Sequence, residues 1–268
     1  MNYQSPAAGA VPLASASPNA TTSPLPVTPR HMIPADQLGE AIVGFRSRDQ
    51  RSRPFNLLRT QIARLVGEGV RVIGITSATP QVGKTFVASN LAASLARLPE
   101  LQTVLVDLDL RRGSVAERFN IPVRQGMTEY LAGEVDDLAS IAWGIEGERL
   151  TLYPTAEARV HSSELLASAR LQGLIASMRA IPGQAVVLCD LPPVFANDDS
   201  MIVSEMIDGY IMVVEDGVTT AKQVRDSRRL LGSVRCFGTV LNRYIKGFAG
   251  GDYGYGYGKG SGYSDYYN

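Results

Sequence analysis

The pattern of apolar and polar positions divides the chain into three parts. Residues 1–29 contain no charged residue and are rich in Pro, Ala, Ser and Thr, without a repeating apolar spacing. From Pro54 to about Asn242, apolar runs recur regularly between polar turns. After that the chain alternates glycine with tyrosine. The first and last parts can bury little apolar area, so we expect them to be disordered.

The central part alternates strand-like and helix-like patterns. Short β-branched or apolar runs predict strands over 70–76, 103–107, 150–153, 185–190, 209–214 and 236–241. Apolar positions at helical spacing predict helices over 57–65, 84–98, 164–178 and 220–231. Such alternation is typical of an α/β fold in which helices cover both faces of a mainly parallel sheet.

These patterns predict three regions. A Pro/Ala/Ser-rich segment over 1–45 is expected to be disordered, a folded domain spans 46–246, and a flexible Gly/Tyr-rich tail spans 247–268. Near the first boundary lies a basic run, which we interpret as a solvated face. It consists of Arg46, Arg48, Arg51 and Arg53.

Composition narrows the function classes. The formal net charge is zero, so no overall attraction to nucleic acid is expected. Two cysteines and two histidines exclude a disulfide-built fold and disfavour a histidine metal site. No apolar stretch reaches the length of a membrane span and no secretory signal is present, so we expect a cytoplasmic protein.

The strongest chemical signal is the segment Ser77-Ala-Thr-Pro-Gln-Val-Gly-Lys-Thr85, between a predicted strand and a predicted helix. Backbone N–H groups at a helix start bind phosphate oxygens, and Gly83 permits close approach. Lys84 can reach the outer phosphates and the Thr85 hydroxyl can ligate Mg²⁺. Ala78 stands where the general pattern has glycine, so an ordinary strand–turn–helix connection is the alternative interpretation.

Carboxylates end two further predicted strands. Asp107 ends the strand 103–107 and Asp109 follows it, and Asp190 ends the strand 185–190. In a parallel sheet these groups lie at the same carboxyl edge as the phosphate loop. Each aspartate alone could be a helix cap, but together with Lys84 and Thr85 they predict a Mg-ATP site suited to phosphoryl transfer.

At these residues the sequence resembles the bacterial tyrosine kinases of capsule and exopolysaccharide synthesis, of the cytoplasmic CpsD/CapB-like type. This family belongs to the same P-loop class as the plasmid-partition and septum-placement ATPases. The resemblance runs from about Pro54 to Arg243 and into the tail. It includes the loop proline at Pro80, an Asp-x-Asp-x-Arg motif from Asp107 to Arg111, and an Asp-x-Pro-Pro motif from Asp190 to Pro193.

The resemblance implies a P-loop three-layer sandwich and a set of roles. The residues implied to bind ATP are Pro80, Gln81, Val82, Gly83, Lys84, Thr85 and Phe86, with Asn242 reading the adenine. Lys84, Asp107 and Asp109 are implied to be catalytic, with Asp107 as the base. Thr85, Asp107 and Asp190 are implied to hold Mg²⁺.

The resemblance also implies autophosphorylation of the tail, on Tyr253, Tyr255, Tyr257, Tyr263, Tyr266 and Tyr267. A sticky low-complexity segment without a modification role is the alternative. The family further implies a membrane polysaccharide co-polymerase or adaptor (Wzz-like) as partner, recruitment to the inner face of the plasma membrane, and a possible homo-oligomer.

Departures from the family leave other functions open. Gln81-Val82 replaces a typical Gly-Glu, and Arg53, Asn56 and Arg59 align with Glu-x-x-Arg-x-x-Arg of the family's oligomerisation helix. A nucleotide-binding scaffold of the export machinery with little kinase activity is therefore an alternative. A positioning ATPase is disfavoured, because Thr79 and Pro80 occupy the region where partition ATPases carry a second lysine.

Overall fold

An eight-stranded sheet organises the part of the chain that the structure describes. The structure, a computed structural model, describes residues 23–156, 158 and 161–244. The strands are β1 (His31–Ile33), β2 (Val72–Ser77), β3 (Gln102–Asp107), β4 (Trp143–Ile145), β5 (Leu150–Tyr153), β6 (Ala185–Asp190), β7 (Gly209–Glu215) and β8 (Cys236–Asn242). Their order in the sheet is β1-β4-β5-β3-β6-β2-β7-β8. Only the β4–β5 pair is antiparallel, so the predicted α/β class with a mainly parallel sheet is confirmed.

The helices connect these strands and cover both faces. They are α1 (Arg53–Gly67), α2 (Lys84–Ala96), α3 (Val115–Arg118), α4 (Met127–Leu131), α5 (Ser162–Leu166), α6 (Ala169–Arg179), α7 (Asp199–Ser204) and α8 (Ala221–Leu230). Among the described residues, no helix is long and apolar enough to span a bilayer.

The central strands are buried on both faces. Every residue of β2 and β6 is buried, as expected for interior strands of a sheet covered by helices. Alternate residues point to opposite sides: Leu105 packs with α1 and α2, whereas Val104 and Val106 pack with α6. Because β3, β6 and β2 are neighbours and parallel, their carboxyl ends meet at one edge.

The prediction that 1–45 is disordered is wrong for residues 23–45. Leu25, Ile33, Ile42 and Val43 are almost completely buried, and β1 pairs with β4. The buried Asn90 side chain of α2 also accepts hydrogen bonds from the backbone N–H of Val43, at 2.7 Å, and Gly44. The prediction fails because the apolar residues of this segment are too widely spaced to show a helix or strand period, although several of them are buried in the core. Residues 1–22 lie outside the described part.

Two other elements differ from the expectations. The helix predicted over 164–178 is two helices, because Ser168 starts a new one: its hydroxyl accepts a hydrogen bond from the Leu171 N–H at 3.3 Å. Strands β1 and β4 were not predicted, since each has only three residues. The six predicted strands are present, with ends that differ by at most two residues.

Candidate phosphate-binding site

The phosphate loop connects β2 to α2, as the sequence predicts. Gly83 precedes α2 and has a backbone φ of 88°, in the left-handed region that favours glycine. A Cβ atom at this position would lie 2.2 Å from Nδ2 of Asn242. The position therefore requires glycine for both its conformation and its surroundings. Ala78, where the general pattern has glycine, is fully buried.

Lys84 lies inside the site rather than in solvent. Its Nζ donates a hydrogen bond to Oδ2 of Asp109 at 2.7 Å and is 3.8 Å from Oδ1 of Asp190. Burial disfavours the charged form of Lys84, but the Asp190 and Asp109 carboxylates outweigh it, so the pKa of Lys84 is raised. The ammonium group is therefore held charged at the carboxyl edge of the sheet.

Thr85 and Asp190 form a second pair beside it. The Thr85 hydroxyl donates to Oδ2 of Asp190 at 2.6 Å. The other oxygen of Asp190 is buried and has no hydrogen-bond partner among the described residues, and its ion pair with Lys84 Nζ spans 3.8 Å. Burial raises the pKa of Asp190, although Lys84 and Thr85 oppose this shift. An unpartnered buried carboxylate oxygen next to a threonine hydroxyl fits a hard cation.

Asp107 lies beside Asp190, because the two residues are register partners on the neighbouring strands β3 and β6. Its Oδ1 accepts from the Asp109 N–H at 3.2 Å and its Oδ2 from the Val115 N–H at 3.1 Å. Burial, followed by the charge of Asp190, raises the pKa of Asp107 to about 8. A carboxyl group with such a pKa is suited to exchange a proton near neutral pH.

The donor set fits Mg²⁺ in a particular way. Within residues 23–156, 158 and 161–244 no three acidic, histidine or cysteine side chains form a ready cage for a metal. Mg²⁺ is usually held by one or two carboxylates together with phosphate oxygens and water. The pair of Asp190 and Thr85, with Asp107 opposite, fits that mode of binding.

The remaining predicted loop residues have different environments. Pro80 and Gln81 are exposed, and Gln81 has a left-handed φ of 65°, while Val82 is buried. The Phe86 ring packs edge-on against Phe55 of α1, with centroids 5.7 Å apart. Only the backbone of Phe86 therefore belongs to the loop.

Asn242 lies against the loop itself. Its Nδ2 donates to the Val82 carbonyl oxygen at 2.8 Å, so the side chain ties the end of β8 to the phosphate loop. Reading of adenine by Asn242 stays a prediction. The predicted phosphorylation sites Tyr253, Tyr255, Tyr257, Tyr263, Tyr266 and Tyr267 lie outside the described residues.

Several residues that the sequence analysis did not single out pack around Asp107 and the phosphate loop, at the carboxyl edge of the sheet. The Thr155 hydroxyl donates to the Asp107 carbonyl oxygen at 3.1 Å. Gly113 lies so close to Asp107 that an added Cβ would be 2.9 Å from Oδ2. The guanidinium of Arg118 lies 5.9 Å from the Phe86 ring centroid. A lone Thr or Gly in a turn has no sequence signal that could reveal such a role.

A buried carboxylate, Asp199, was also not anticipated. It accepts hydrogen bonds from Ser162 at 2.6 Å and Ser163 at 2.7 Å, and the Ser162 hydroxyl in turn accepts from Arg111 Nε at 2.7 Å. Arg111 belongs to the Asp-x-Asp-x-Arg motif. This network therefore joins the loop after β3 to α5 and α7.

Comparisons with known proteins agree with this geometry. No protein-family model matches the chain. Tyrosine-protein kinase etk of Escherichia coli K12 is 32% identical over 215 residues, covering 80% of this chain and 27% of etk. The succinoglycan biosynthesis transport protein ExoP of Rhizobium meliloti is 36% identical over 186 residues, covering 67% of this chain and 23% of ExoP. The chain thus spans about a quarter of the length of these relatives.

Solved structures give the same relationship. The kinase domain of the Escherichia coli tyrosine kinase ETK superposes with a TM-score of 0.72 at 29% identity, covering 82% of this chain and 86% of that domain. The septum site-determining protein MinD of Pyrococcus horikoshii shares the fold alone, with a TM-score of 0.55 at 22% identity over 66% of this chain and 72% of MinD. The chain therefore belongs by homology to the bacterial tyrosine kinases, and its described domain has the fold of their kinase domains within the P-loop, partition-ATPase-like class.

Proposed function

We propose that the chain is an ATP-dependent protein-tyrosine autokinase that regulates the polymerisation and export of a capsular or extracellular polysaccharide. The observation that carries this proposal is the buried cluster of Lys84, Thr85, Asp107, Asp109 and Asp190 at one sheet edge. One cation, one hydroxyl and three carboxyl groups meet there, beside Gly83, whose left-handed backbone begins α2. Homology to tyrosine kinases supports it.

Each group has a role that its chemistry suits. Backbone N–H groups of residues 81–86 and the Lys84 ammonium bind the ATP phosphates, for which Lys84 must leave Asp109. Thr85, Asp107 and Asp190 would hold Mg²⁺, which would neutralise the phosphate charge when bound. Asp109 supports the cluster, and Asp107 accepts the proton of the attacking tyrosine hydroxyl as its oxygen bonds to the γ-phosphorus and ADP leaves.

We place the acceptor hydroxyls in the C-terminal tail, within 247–268, where six tyrosines cluster. The link to polysaccharide export rests on the name of the relative ExoP, a succinoglycan biosynthesis transport protein. A membrane co-polymerase or adaptor is the partner this function needs, and it would recruit the chain from the cytoplasm to the inner membrane face.

Mapped autophosphorylation tests the proposal. The purified chain is incubated with ATP and Mg²⁺, with and without a cytoplasmic fragment of a candidate adaptor, and phosphotyrosines are located by mass spectrometry. Phosphate should appear on tail tyrosines and disappear in Lys84→Met. Lys222→Met is the matched control, because Lys222 is exposed on α8 and its only salt-bridge partner among the described residues is Asp226. Absence of tail phosphotyrosine in every arm would overturn the proposal.

A nucleotide-binding scaffold with little kinase activity is the second candidate. Gln81 favours it, since a glutamine occupies a left-handed turn position of the loop where the family typically has glycine. In the same assay, nucleotide binding and adaptor binding without phosphotyrosine would identify this function.

A further inference from the structure

Helix α8 presents an unusual concentration of positive charge. Its ten residues, Ala-Lys-Gln-Val-Arg-Asp-Ser-Arg-Arg-Leu, contain four basic side chains and one acidic side chain. The opposite side of the helix holds it to the sheet: Ser227 is buried, and Leu231, just after the helix, packs with Tyr210 and Met212 of β7. Lys222, Arg225 and Arg229 are exposed and face away from the core.

Two of these side chains are already engaged. Lys222 Nζ donates to Asp226 at 2.7 Å, and Arg228 hydrogen-bonds Tyr210. Arg225 and Arg229 are exposed, and neither forms a salt bridge within 4.0 Å with any described residue, although the charges of both help to lower the pKa of Asp226. They are four residues apart and so are neighbours on the helix surface. We call this pair the basic face of α8.

The C-terminal tail starts beside α8. The Asn242 carbonyl oxygen, at the end of β8, accepts a hydrogen bond from the Asp216 N–H at 3.1 Å. Arg243 donates to Glu215 at 3.0 Å. Both contacts hold the last described residues against the turn that leads from β7 into α8. The tail therefore leaves the domain at the N-terminal end of α8.

The chain beyond this point can reach the basic face. Tyr253 is nine residues after Tyr244, which allows a span of up to about 30 Å in extended chain. Helix α8 is only about 15 Å long. Every tail tyrosine from Tyr253 to Tyr267 is thus tethered within reach, and a tether of this length gives an effective concentration in the millimolar range.

Phosphorylation changes the charge of the tail from balanced to strongly negative. The segment 245–268 contains two lysines and two aspartates. Each phosphotyrosine adds about −1.5 to −2 charges and three acceptor oxygens. Arginine binds phosphate through two parallel hydrogen bonds, which a lysine cannot do.

We propose that the basic face of α8 binds the phosphorylated tail of its own chain. This inference rests on the proposed autokinase function and adds its regulation. A tail that is docked on α8 is withdrawn from the active sites of neighbouring molecules, so phosphorylation restrains further exchange of tails between chains. The unmodified tail lacks the charge for docking and stays available as a substrate.

The test uses the full chain and a chemically made phosphate. The protein carries Lys84→Met, so that its own tail stays unphosphorylated, and the probe is a fluorescent peptide of residues 251–268 with or without phosphate on its tyrosines. Fluorescence anisotropy at low salt should show at least about tenfold tighter binding of the phosphopeptide, and this preference should weaken as salt is added.

Variants locate the binding site. Arg225→Gln with Arg229→Gln should weaken phosphopeptide binding by about tenfold or more. The matched control, Arg48→Gln with Arg124→Gln, removes the same charge from exposed arginines elsewhere and should bind as the parent does. Arg225→Lys with Arg229→Lys keeps the charge and should give an intermediate loss. Equal thermal unfolding curves verify that the variants are folded.

Three results would overturn the inference. They are equal binding of both peptides, equal loss in the Arg48/Arg124 control, and loss of binding to phosphatidylserine vesicles in the α8 variant without loss of phosphopeptide binding. The last result would identify α8 as a membrane-binding surface. Because the phosphate is synthetic, none of these outcomes depends on whether Lys84 supports phosphoryl transfer.

Discussion

At the scale of single residues, the ionisation of Asp107 is the most consequential property of the site. Its carboxyl group is fully buried opposite Asp190, and burial followed by that charge raises its pKa to about 8. In the unfolded chain the same group ionises near pH 4. The neutral form therefore contributes stability that is complete below about pH 4 and is lost as the pH rises towards 8.

We expect the free energy of unfolding, measured with urea in the presence of EDTA, to contain this pH dependence. Asp107→Asn removes the titrating group, so its free energy of unfolding should fall less steeply than that of the parent between about pH 5 and 8. The asparagine amide cannot accept from both the Asp109 and the Val115 N–H groups, so the substitution also changes the free energy of unfolding at every pH. The test therefore compares how steeply that free energy changes with pH, not its absolute value. Identical slopes would contradict the raised pKa.

Gln81 carries a backbone conformation that suits glycine better. Its φ is 65°, and a side chain in the left-handed region costs about 1 kcal/mol. Gln81→Gly should be up to about 1 kcal/mol more stable than Gln81→Ala, since both variants lose the side chain and only glycine relieves the backbone. Thermal unfolding of the two variants checks this. A more stable alanine variant would show that the turn is not strained.

A site residue can be predicted from the sequence when it stands at the end of a strand or the start of a helix, and cannot when only long-range contacts place it. Lys84, Thr85, Asp107, Asp109 and Asp190 could be predicted to meet, because they end neighbouring strands or start a helix. The contact of Asn242 with the Val82 carbonyl could not, since it depends on the sheet position of β8. Asp199 was missed for a related reason: its partners in α5 are more than thirty residues away.

At the scale of elements, period and length decide what can be anticipated. Strand β6 was predicted over 185–190, because an unbroken apolar run bounded by turns indicates a buried strand. Strands β1 and β4 are too short to establish a period, and their pairing at the edge of the sheet comes from long-range contacts. The apolar spacing continues from α5 into α6, so the sequence pattern predicts one helix. The sequence signal for the break is Ser168, which caps the start of α6.

Asn56, at a position where the resemblance implies an arginine, takes part in the contact between α1 and α2. The Asn56 side-chain oxygen accepts from the Ser94 hydroxyl at 3.1 Å and from Arg97 at 3.3 Å, both in or next to α2. Asn56 is thus directed towards the domain's own core rather than towards a neighbour.

Asn56→Ala should therefore lower the stability of the domain. It leaves the buried Ser94 hydroxyl without this acceptor, and we expect a loss of about 1–2 kcal/mol in the free energy of unfolding. Thr60→Ala is a suitable control, because its exposed hydroxyl donates only to a backbone carbonyl one turn earlier in α1. If both variants unfold alike, the Asn56 contact contributes nothing specific.

At the scale of the whole molecule, the N-terminal residues cover the end of the sheet that is distant from the phosphate loop. The Thr151 hydroxyl donates to the Val27 carbonyl oxygen at 2.9 Å, and the buried Tyr153 hydroxyl donates to that of Pro26. The Leu25 N–H donates to Ser177 in α6 at 2.9 Å, and His31 stacks on Trp143. We call residues 23–33 the N-terminal strap. The strap joins β5, α6 and β4, three elements that come from distant parts of the chain.

The strap should therefore be required for the stability of the domain rather than for its chemistry. Two shortened chains are compared, one that begins at residue 23 and one that begins at residue 34. The second lacks β1 and the buried side chains of Leu25 and Ile33. Burial of two such side chains contributes about 3–6 kcal/mol, a large share of the stability of an ordinary domain. We expect urea unfolding to show a loss of this size for the shorter chain.

A point substitution separates the strap's packing from the effect of chain length. Leu25→Ala should cost about 2–4 kcal/mol, whereas Met32→Ala, at an exposed position of the same strap, should cost less than about 1 kcal/mol. Nucleotide affinity of the fraction that is folded should stay unchanged in both, since Leu25 belongs to the buried cluster on the α6 side of the sheet, whereas Val82 of the phosphate loop belongs to the cluster on the other side. Equal unfolding midpoints for the two variants would show that the strap rests on the domain without stabilising it.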